Sequence, residues 1–280
     1  MHMKLVKVER GGANAEGIVE GDGVRILGAW RQGPADAAPF TLSRLSMSDL
    51  SNVAATETVP LASVTLAVPI DPLAKIFCVG MKYRDHVSEI KQEVASNPTI
   101  FTRSLDTLAP HGAPVVRPKV SDHFDFEGEI AIVIGREARH VALEDALAHV
   151  GGYTCFMDGS VRDYQKHSMI AGKNFARSGA MGPWIVTADE FGSGDPLLRT
   201  RLNGEEVQSA HASQMIFDIP FVISYISRWM TLRPGDVIAT GTPGGVGARR
   251  EPPLWMKAGD RIEVEVEGIG KLSNPVIDET

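Results

Sequence analysis

The chain alternates short apolar runs with turns rich in glycine and aspartate, a pattern that predicts strands more often than helices. Arg261 to Glu267 shows it most clearly, because Ile262, Val264 and Val266 fall on one face and three glutamates on the other. This segment is therefore predicted to be a strand with one buried face. The segment Leu202-Asn203-Gly204-Glu205 predicts a tight hairpin, since such a turn needs positive φ at both central residues.

The first seventy residues differ from the rest of the chain in their pattern of predicted elements. Short strands are predicted there, followed by a helix with leucines along one side: Lys4 to Val8, Gly17 to Glu20, Val24 to Leu27, and the helix Ser43 to Ala54. The stiff sequence Pro69-Ile70-Asp71-Pro72 then interrupts the pattern. We therefore predict a small N-terminal α/β domain over residues 1–70 and a larger domain over residues 71–280.

The larger part of the chain is predicted to be rich in strands and poor in long helices. Buried strands are expected over Lys75 to Val79 and Glu129 to Ile134, and helices over Leu143 to His149 and Phe217 to Thr231. This distribution predicts a protein of the α+β class that is mainly β.

Composition excludes several classes of function. The 280 residues are 43% hydrophobic and 22% charged, and the formal net charge of -7 offers no basic surface for nucleic acid or anionic lipid. Apolar runs of membrane-spanning length and a signal-peptide core are both missing from the sequence, so a cytoplasmic protein is expected. Cys78 and Cys155 lie in apolar stretches and are predicted to be buried thiols.

Carboxylates are concentrated just before one predicted strand. Asp125, Glu127 and Glu129 would share a face because side chains alternate with period two, and Asp158 follows in a turn-like segment. Acids this close repel one another, and the repulsion is relieved by solvent, by a raised pKa or by a cation. From the residues alone, a solvated sheet edge and a metal site both remain open. If a metal binds, these hard oxygens favour Mg²⁺ or Mn²⁺, with Ca²⁺ also possible, and exclude structural zinc.

Other chemically useful groups surround these acids in the sequence. His86 and Glu89 are three residues apart, a spacing that suits a proton-transfer pair but is more often found simply on a helix surface. Arg162 and Gln165 fall four and seven residues after Asp158 and would share a helical face with it, and Lys173 adds a cation. The glycine-rich segment from Thr240 to Gly247 lacks the ending of a phosphate loop and is better interpreted as a loop packed against a ligand.

An ordered set of motifs resembles the fumarylacetoacetate hydrolase family. From about residue 75 to 274 it comprises V-G-x-x-Y-R-D-H-x-x-E, D-F-E-G-E-I-A-I-V-I-G, D-G-S-V-R-D-Y-Q, G-P-W-I-V-T-A-D-E, N-G-E-x-V-Q, L-R-P-G-D-V-I-A-T-G-T-P-G-G-V-G and G-I-G. The resemblance implies a mixed β-sandwich roll preceded by a smaller N-terminal domain, and a homodimer. It also makes residues 71–280 the catalytic domain.

The resemblance assigns roles to particular residues. It implies that Glu127, Glu129 and Asp158 ligate Mg²⁺ or Mn²⁺, or sometimes Ca²⁺. It implies that His86 and Glu89 activate water from a lid spanning roughly residues 84–98, with Lys173 assisting catalysis. The positions expected to hold substrate are Tyr83, Arg162, Gln165 and Thr240.

The leading expectation is hydrolysis of a C–C bond in a 2,4-diketo acid, with the metal stabilising the enolate that leaves. The same site could instead decarboxylate an oxaloacetate-like acid or isomerise a 2-hydroxy-diene dioate, neither of which needs attack by water. A protein that binds metal without catalysis is a further alternative. A dinucleotide oxidoreductase is disfavoured, because no G-x-G-x-x-G opens a helix after a strand.

Overall fold

The computed structural model describes residues 3–40, 54–80, 97–191 and 194–280. Within these residues strands dominate over helices, so the prediction of a mainly β protein of the α+β class is confirmed. Parallel and antiparallel pairs occur together, which makes the sheets mixed.

One large sheet forms the centre of the molecule. Its strands in chain order are β1 (Lys4–Arg10), β2 (Ala13–Glu20), β3 (Gly23–Gln32), β4 (Ala55–Pro60), β5 (Thr65–Leu66), β6 (Ile76–Gly80), β7 (Thr99–Arg103), β8 (Leu108–Pro110), β11 (Gly128–Ile134), β12 (Val150–Met157), β14 (Gly179–Thr187) and β17 (Val237–Ala239). Their order across the sheet is β4-β3-β2-β1-β14-β12-β11-β17-β6-β7, and β5 and β8 pair with β1 and β14.

Two smaller sheets complete the β structure of the described residues. The five-stranded sheet has the order β16-β15-β18-β19-β9, with ranges β9 (Val115–Arg117), β15 (Leu197–Leu202), β16 (Glu205–His211), β18 (Arg261–Val266) and β19 (Gly270–Asp278). It packs across β11, β12 and β14 of the large sheet. A two-stranded ribbon joins β10 (Phe124–Asp125) to β13 (Ser160–Val161).

The described helices are short and lie between strands. They are α1 (Arg162–Gln165), α2 (Met169–Lys173), α3 (Ala188–Phe191) and α4 (Ile219–Ser227), with 3-10 turns at Ala35–Ala37, Leu61–Ser63, Leu105–Thr107, Leu143–His149, Ala212–Gln214 and Gly247–Arg249. None of the helices in the described ranges is long and apolar enough to cross a membrane.

Strand β11 is buried along its whole length because both of its faces pack against apolar side chains. Ile130 and Ile132 face the five-stranded sheet, whereas Ala131 and Val133 face a second core that includes Leu5 of the N-terminal strands. An uninterrupted apolar run is what a strand covered on two sides requires. The carboxylates that precede this run are thereby held at the end of a rigid central strand.

Most local sequence signals predict the elements correctly. The hairpin turn has φ of 55° at Asn203 and 84° at Gly204. The strand from Arg261 buries Ile262, Val264 and Val266, as expected, and leaves the residues between them more exposed. Helix α4 starts at Ile219, later than the predicted Phe217, because the Asp218 side chain accepts the N–H of Phe221 and caps the first turn.

Other predictions have different outcomes. Cys78 and Cys155 are buried free thiols, as predicted. The predicted helix Ser43 to Ala54 lies, apart from its last residue, outside the described residues. The domain boundary near residue 70 stays a prediction.

Candidate active site

The predicted metal ligands are brought together by backbone pairing between two segments. Asp125 of β10 is opposite Ser160 of β13, and the backbone N–H of Asp158 donates to the carbonyl oxygen of Glu127 at 2.8 Å. Strand β11 then starts at Gly128, where an added Cβ would collide with Thr200 of the five-stranded sheet. This pairing sets Glu127 beside Asp158 although they are 31 positions apart in the sequence.

The three carboxylates form a buried cluster. One oxygen from each of Glu127, Glu129 and Asp158 lies within 4.8 Å of the other two. Three oxygens this close can ligate one divalent ion, and an all-oxygen donor set fits Mg²⁺, Mn²⁺ or Ca²⁺. The residues present therefore fit the metal that the sequence predicts, although they do not by themselves select among these ions.

Two buried cations neutralise part of this negative charge. The ammonium nitrogen of Lys173 lies 2.6 Å from Glu127 Oε2 and 2.6 Å from Asp158 Oδ2. Burial alone would lower the pKa of Lys173, but the charges of Asp158 and Glu127 reverse the effect and raise it. Lys173 thus stays protonated and in direct contact with two of the acids.

Arg103 is the second cation, and no sequence pattern predicts it as a site residue. Its Nη1 donates to Asp158 Oδ1 at 2.5 Å and to the carbonyl of Gly159 at 3.0 Å, while Nη2 donates to Ser178 Oγ at 2.8 Å. A lone arginine at the end of β7 has no motif or period that distinguishes it from a surface residue. Its contacts fix the orientation of Asp158.

Glu129 has the least compensated charge of the three acids. Its Oε2 accepts the backbone N–H of Gly241 at 2.8 Å. Burial, followed by the nearby charges of Asp158 and Glu127, raises the pKa of Glu129 well above its usual range. A divalent cation would remove this penalty, because it would replace repulsion among the acids with attraction.

The structure corrects how Arg162 and Gln165 reach the cluster. Asp158 is not on their helix, since the β13 strand separates it from α1, so the predicted shared helical face is wrong. Arg162 Nε instead donates to Asp125 Oδ2 at 2.7 Å, and its Nη2 lies 2.7 Å from Glu127 Oε1. Its Nη1 donates to Gln165 Oε1 at 3.0 Å. These contacts place both residues beside the acids by a route other than the predicted one.

A cavity of about 440 Å³ opens beside the cluster. Polar and apolar side chains share its wall, including Glu127, Arg162, Gln165, Lys166, Lys173, Thr242, Arg249, Phe101 and Met169. Cavities that combine apolar surface with a few convergent polar groups are typical of small-molecule sites. The cluster and this cavity together form the candidate active site.

The remaining predicted site residues lie in two places. Thr240 is buried behind the cavity wall, where its hydroxyl donates to the carbonyl of Ile130 at 2.8 Å. Thr242, two residues later, lines the cavity instead, with its hydroxyl 2.9 Å from the carbonyl of Gly128. Tyr83, His86 and Glu89 lie outside the described residues, so their roles stay predictions.

Comparison with known proteins identifies the family. The sequence model of the fumarylacetoacetate (FAA) hydrolase C-terminal domain matches residues 75–277. The chain therefore belongs to the fumarylacetoacetate hydrolase family and is an enzyme of that family.

Similar proteins point to a particular kind of reaction. Oxaloacetate tautomerase YisK of Bacillus subtilis is 41% identical over 77% of this chain and 74% of its own length. The mitochondrial oxaloacetate tautomerase FAHD2A of Homo sapiens is 37% identical over 83% of this chain and 76% of its own length. The crystal structure of 2-hydroxyhepta-2,4-diene-1,7-dioate isomerase from Mycobacterium marinum has a TM-score of 0.79 and 32% identity, with 99% of both chains covered.

These relatives overturn the leading functional prediction. The expectation of a C–C bond hydrolase is wrong, because the similar proteins carry the names of tautomerases and an isomerase. The error has a chemical reason: an ion that stabilises an enolate serves hydrolysis and isomerisation equally well. The residues of the carboxylate cluster therefore could not distinguish the two reactions.

Proposed function

We propose that this chain is a divalent-metal-dependent tautomerase acting on a 2-oxo dicarboxylic acid of the oxaloacetate type. The gathering of Glu127, Glu129 and Asp158 at a cavity that Lys173 also lines is the observation that carries the proposal. The choice of reaction is supported by the two relatives named oxaloacetate tautomerases. The alternative prediction, a reaction on oxaloacetate-like acids without attack by water, thus replaces hydrolysis.

Tautomerisation requires only proton transfer at the site. A proton leaves the carbon next to the keto group, and another proton is delivered to the keto oxygen, so no water is consumed and no C–C bond breaks. Glu127, Glu129 and Asp158 would hold the ion, which when bound supplies stabilisation of the negative charge that develops on the 2-oxo acid. The two proton transfers require a base and a proton donor, and the substrate must be held in position by further groups.

The described residues supply several of these functions. Lys173 remains protonated beside the acids, so its ammonium can stabilise negative charge on the substrate's keto oxygen. Gln165 lines the cavity with its side-chain oxygen bound to Arg162, an arrangement that can orient a substrate carboxylate. His86, paired with Glu89, stays the predicted group that moves the proton between carbon and oxygen.

The direct test follows the enol of oxaloacetate by its ultraviolet absorbance. We expect Mg²⁺ or Mn²⁺ to accelerate ketonisation above the uncatalysed rate and EDTA to remove the acceleration. Mass spectrometry of the products should show oxaloacetate without pyruvate, whereas accumulation of pyruvate would indicate decarboxylation. Ketonisation at the uncatalysed rate with both metals would refute the proposal.

Isomerisation of a 2-hydroxy-diene dioate is the second candidate. It is favoured by the Mycobacterium marinum isomerase, whose structure matches this chain over nearly its full length. Movement of a double bond also needs only proton transfer near a stabilised enolate. Incubation with such a dioate, followed by nuclear magnetic resonance of the double-bond protons, separates this activity from tautomerisation of oxaloacetate.

Glu129→Gln tests the metal assignment without relying on turnover. The amide retains an oxygen for the N–H of Gly241 but loses the charge that attracts the cation. We expect Mn²⁺ binding in calorimetry to weaken by at least about tenfold. Glu137→Gln, at an exposed position, is the matched control and should bind Mn²⁺ normally. Equal affinities in the two variants would remove Glu129 from the proposed ligand set.

A homodimer and a cytoplasmic location stay predictions for this chain. The homodimer rests on the family resemblance, and light scattering of the purified protein measures it directly. The named relatives include a mitochondrial and a bacterial protein, so they do not assign a compartment to this one.

A further inference from the structure

The basic side chains of the cavity fall into two groups. Arg162 and Lys173 are committed to the acids of the cluster through the contacts described above. Lys166 and Arg249 also line the cavity, but neither side chain has a hydrogen bond or ion pair within the described parts of the chain. Two cations are therefore available to a ligand that enters beside the carboxylate cluster.

The backbone around Arg249 is firmly anchored to the site. The N–H groups of Gly247 and Ala248 donate to Asp125 Oδ1 and Oδ2 at 2.7 and 3.0 Å. The N–H of Leu254 donates to the carbonyl of Gly247 at 3.0 Å, which closes the loop behind the 3-10 turn. The side chain of Arg249 is exposed and lines the cavity.

The two consecutive arginines, Arg249 and Arg250, make different contacts. Arg250 turns away and donates to the carbonyls of Gly245 at 3.1 Å and Val207 at 2.6 Å, so it holds the loop against β16. Arg249 makes no such contact among the described residues. An anchored backbone with an uncommitted guanidinium is a preorganised group for binding an anion.

We propose that Arg249 binds the distal carboxylate of the substrate and makes the site selective for dicarboxylates. The inference rests on the proposed function, in which the 2-oxo acid end of the substrate lies at the carboxylate cluster. The second carboxylate then needs its own cation, and a guanidinium matches a carboxylate with two parallel hydrogen bonds. Lys166 is a compact, strongly hydrated charge on an exposed stem, and it can contribute attraction without this geometry.

The test compares substrates that differ only in the distal carboxylate. Oxaloacetate and 2-oxobutanoate have the same carbon skeleton, and exchange of their C3 protons in deuterated water reports enolisation of both. We expect Arg249→Met to lower the selectivity for oxaloacetate, measured as the ratio of kcat/KM values, by roughly 10- to 100-fold. The loss should appear mainly in KM, because the contact is made equally in the ground and transition states.

Two further variants separate geometry from charge. Arg249→Lys keeps the positive charge but loses the planar fork, so an intermediate selectivity is expected. Lys166→Met removes a charge from the same cavity and should change the ratio by less than about threefold, as expected for a solvent-exposed charge. A selectivity ratio in Arg249→Met equal to that of the unmodified enzyme overturns the inference. So does an equal loss in the Lys166→Met variant.

A binding experiment keeps the inference testable if the enzyme does not act on oxaloacetate. Malate and 2-hydroxybutyrate share a 2-hydroxy acid end and differ in the distal carboxylate, and calorimetry with the Mn²⁺-loaded protein compares them. We expect tighter binding of malate, and loss of that preference in Arg249→Met with Mn²⁺ affinity retained. Equal binding of the two acids by the unmodified protein would overturn the role of Arg249. If the enzyme does not turn over oxaloacetate but binds malate more tightly than 2-hydroxybutyrate, only the proposed reaction is rejected.

Discussion

At the scale of single residues, Asp125 is the side chain that joins the acid cluster to the loop beside it. Its Oδ1 accepts the N–H groups of Phe126 at 2.8 Å and Gly247 at 2.7 Å. Its Oδ2 accepts the N–H of Ala248 at 3.0 Å and Nε of Arg162 at 2.7 Å. With both oxygens engaged, Asp125 serves as a structural neighbour of the metal ligands and orders the segment that carries Arg249.

Asp125→Asn should therefore destabilise the protein. The variant leaves the half-buried Arg162 with one carboxylate fewer and turns an amide NH₂ toward backbone donors. Breaking a buried ion pair from one side typically costs about 3–5 kcal/mol, and a loss of this size in the free energy of unfolding is expected from urea titration.

The control for this substitution lies three residues earlier. Asp122 contacts Arg117 at 3.3 Å, but its side chain is 91% exposed. Asp122→Asn should change the free energy of unfolding by no more than about 1 kcal/mol, as for other surface pairs. Similar losses in the two variants would show that Asp125 does not order the loop.

At the scale of elements, His111 connects two strands that belong to different sheets. It follows β8 of the large sheet, and its Nδ1 accepts the backbone N–H of Ser273 in β19 at 3.2 Å. Burial lowers the pKa of His111, and the positive charges of Lys271 and Arg261 lower it further. The neutral imidazole is thus the form that fits this junction.

Stability should consequently fall when the solution is acidified. Above the ordinary histidine pKa of about 6.5, the ring is neutral in both the folded and the unfolded chain, so it adds no pH dependence. Below that value the unfolded chain takes up the proton first, and the free energy of unfolding should decrease by up to about 1.4 kcal/mol per pH unit until the lower folded-state pKa is reached.

Unfolding by urea across this pH range measures the effect. His111→Asn keeps an acceptor for the N–H of Ser273 but does not titrate. The free energy of unfolding of this variant should therefore fall less steeply with decreasing pH, because the contribution of His111 is missing. His167→Asn, at an exposed position, should retain the pH dependence of the unmodified protein. Identical slopes in His111→Asn and the unmodified protein would contradict the assignment to His111.

The elements also show which features the sequence can predict. Hairpin and strand signals are local, so the Asn203-Gly204 turn and the strand from Arg261 are predicted from a few neighbouring residues. The contacts of Arg103 and Arg162 depend on strands distant in sequence, and periodicity carries no information about them. Alternation and a turn-like segment made Glu127 and Asp158 candidate ligands but left a solvated sheet edge equally open, and the ordered family motifs favoured the metal site.

At the scale of the whole molecule, the N-terminal strands and strands from residues 71–280 share one sheet. Strand β1 pairs with β2 on one side and with β14 on the other, where Leu5 is opposite Ile185. Both residues belong to a buried cluster that also contains Phe40, Ile76 and Val133. The pattern of predicted elements does change near residue 70. That pattern does not reveal that residues on the two sides of this position fill a common core.

Separating the two parts should therefore destroy the fold of the larger one. A chain of residues 71–280 would expose the edge of β14 and the apolar face of the shared cluster, and unpaired apolar edges promote aggregation. We expect this fragment to lack cooperative unfolding and Mn²⁺ binding, and the full chain to unfold in one transition that includes the loss of Mn²⁺. A fragment that folds and binds Mn²⁺ would instead establish residues 71–280 as an independent catalytic domain.

The shared core can also be tested in the full chain. Leu5→Ala should lower the free energy of unfolding by about 2–5 kcal/mol, whereas Leu73→Ala, at a side chain that is 87% exposed, should not.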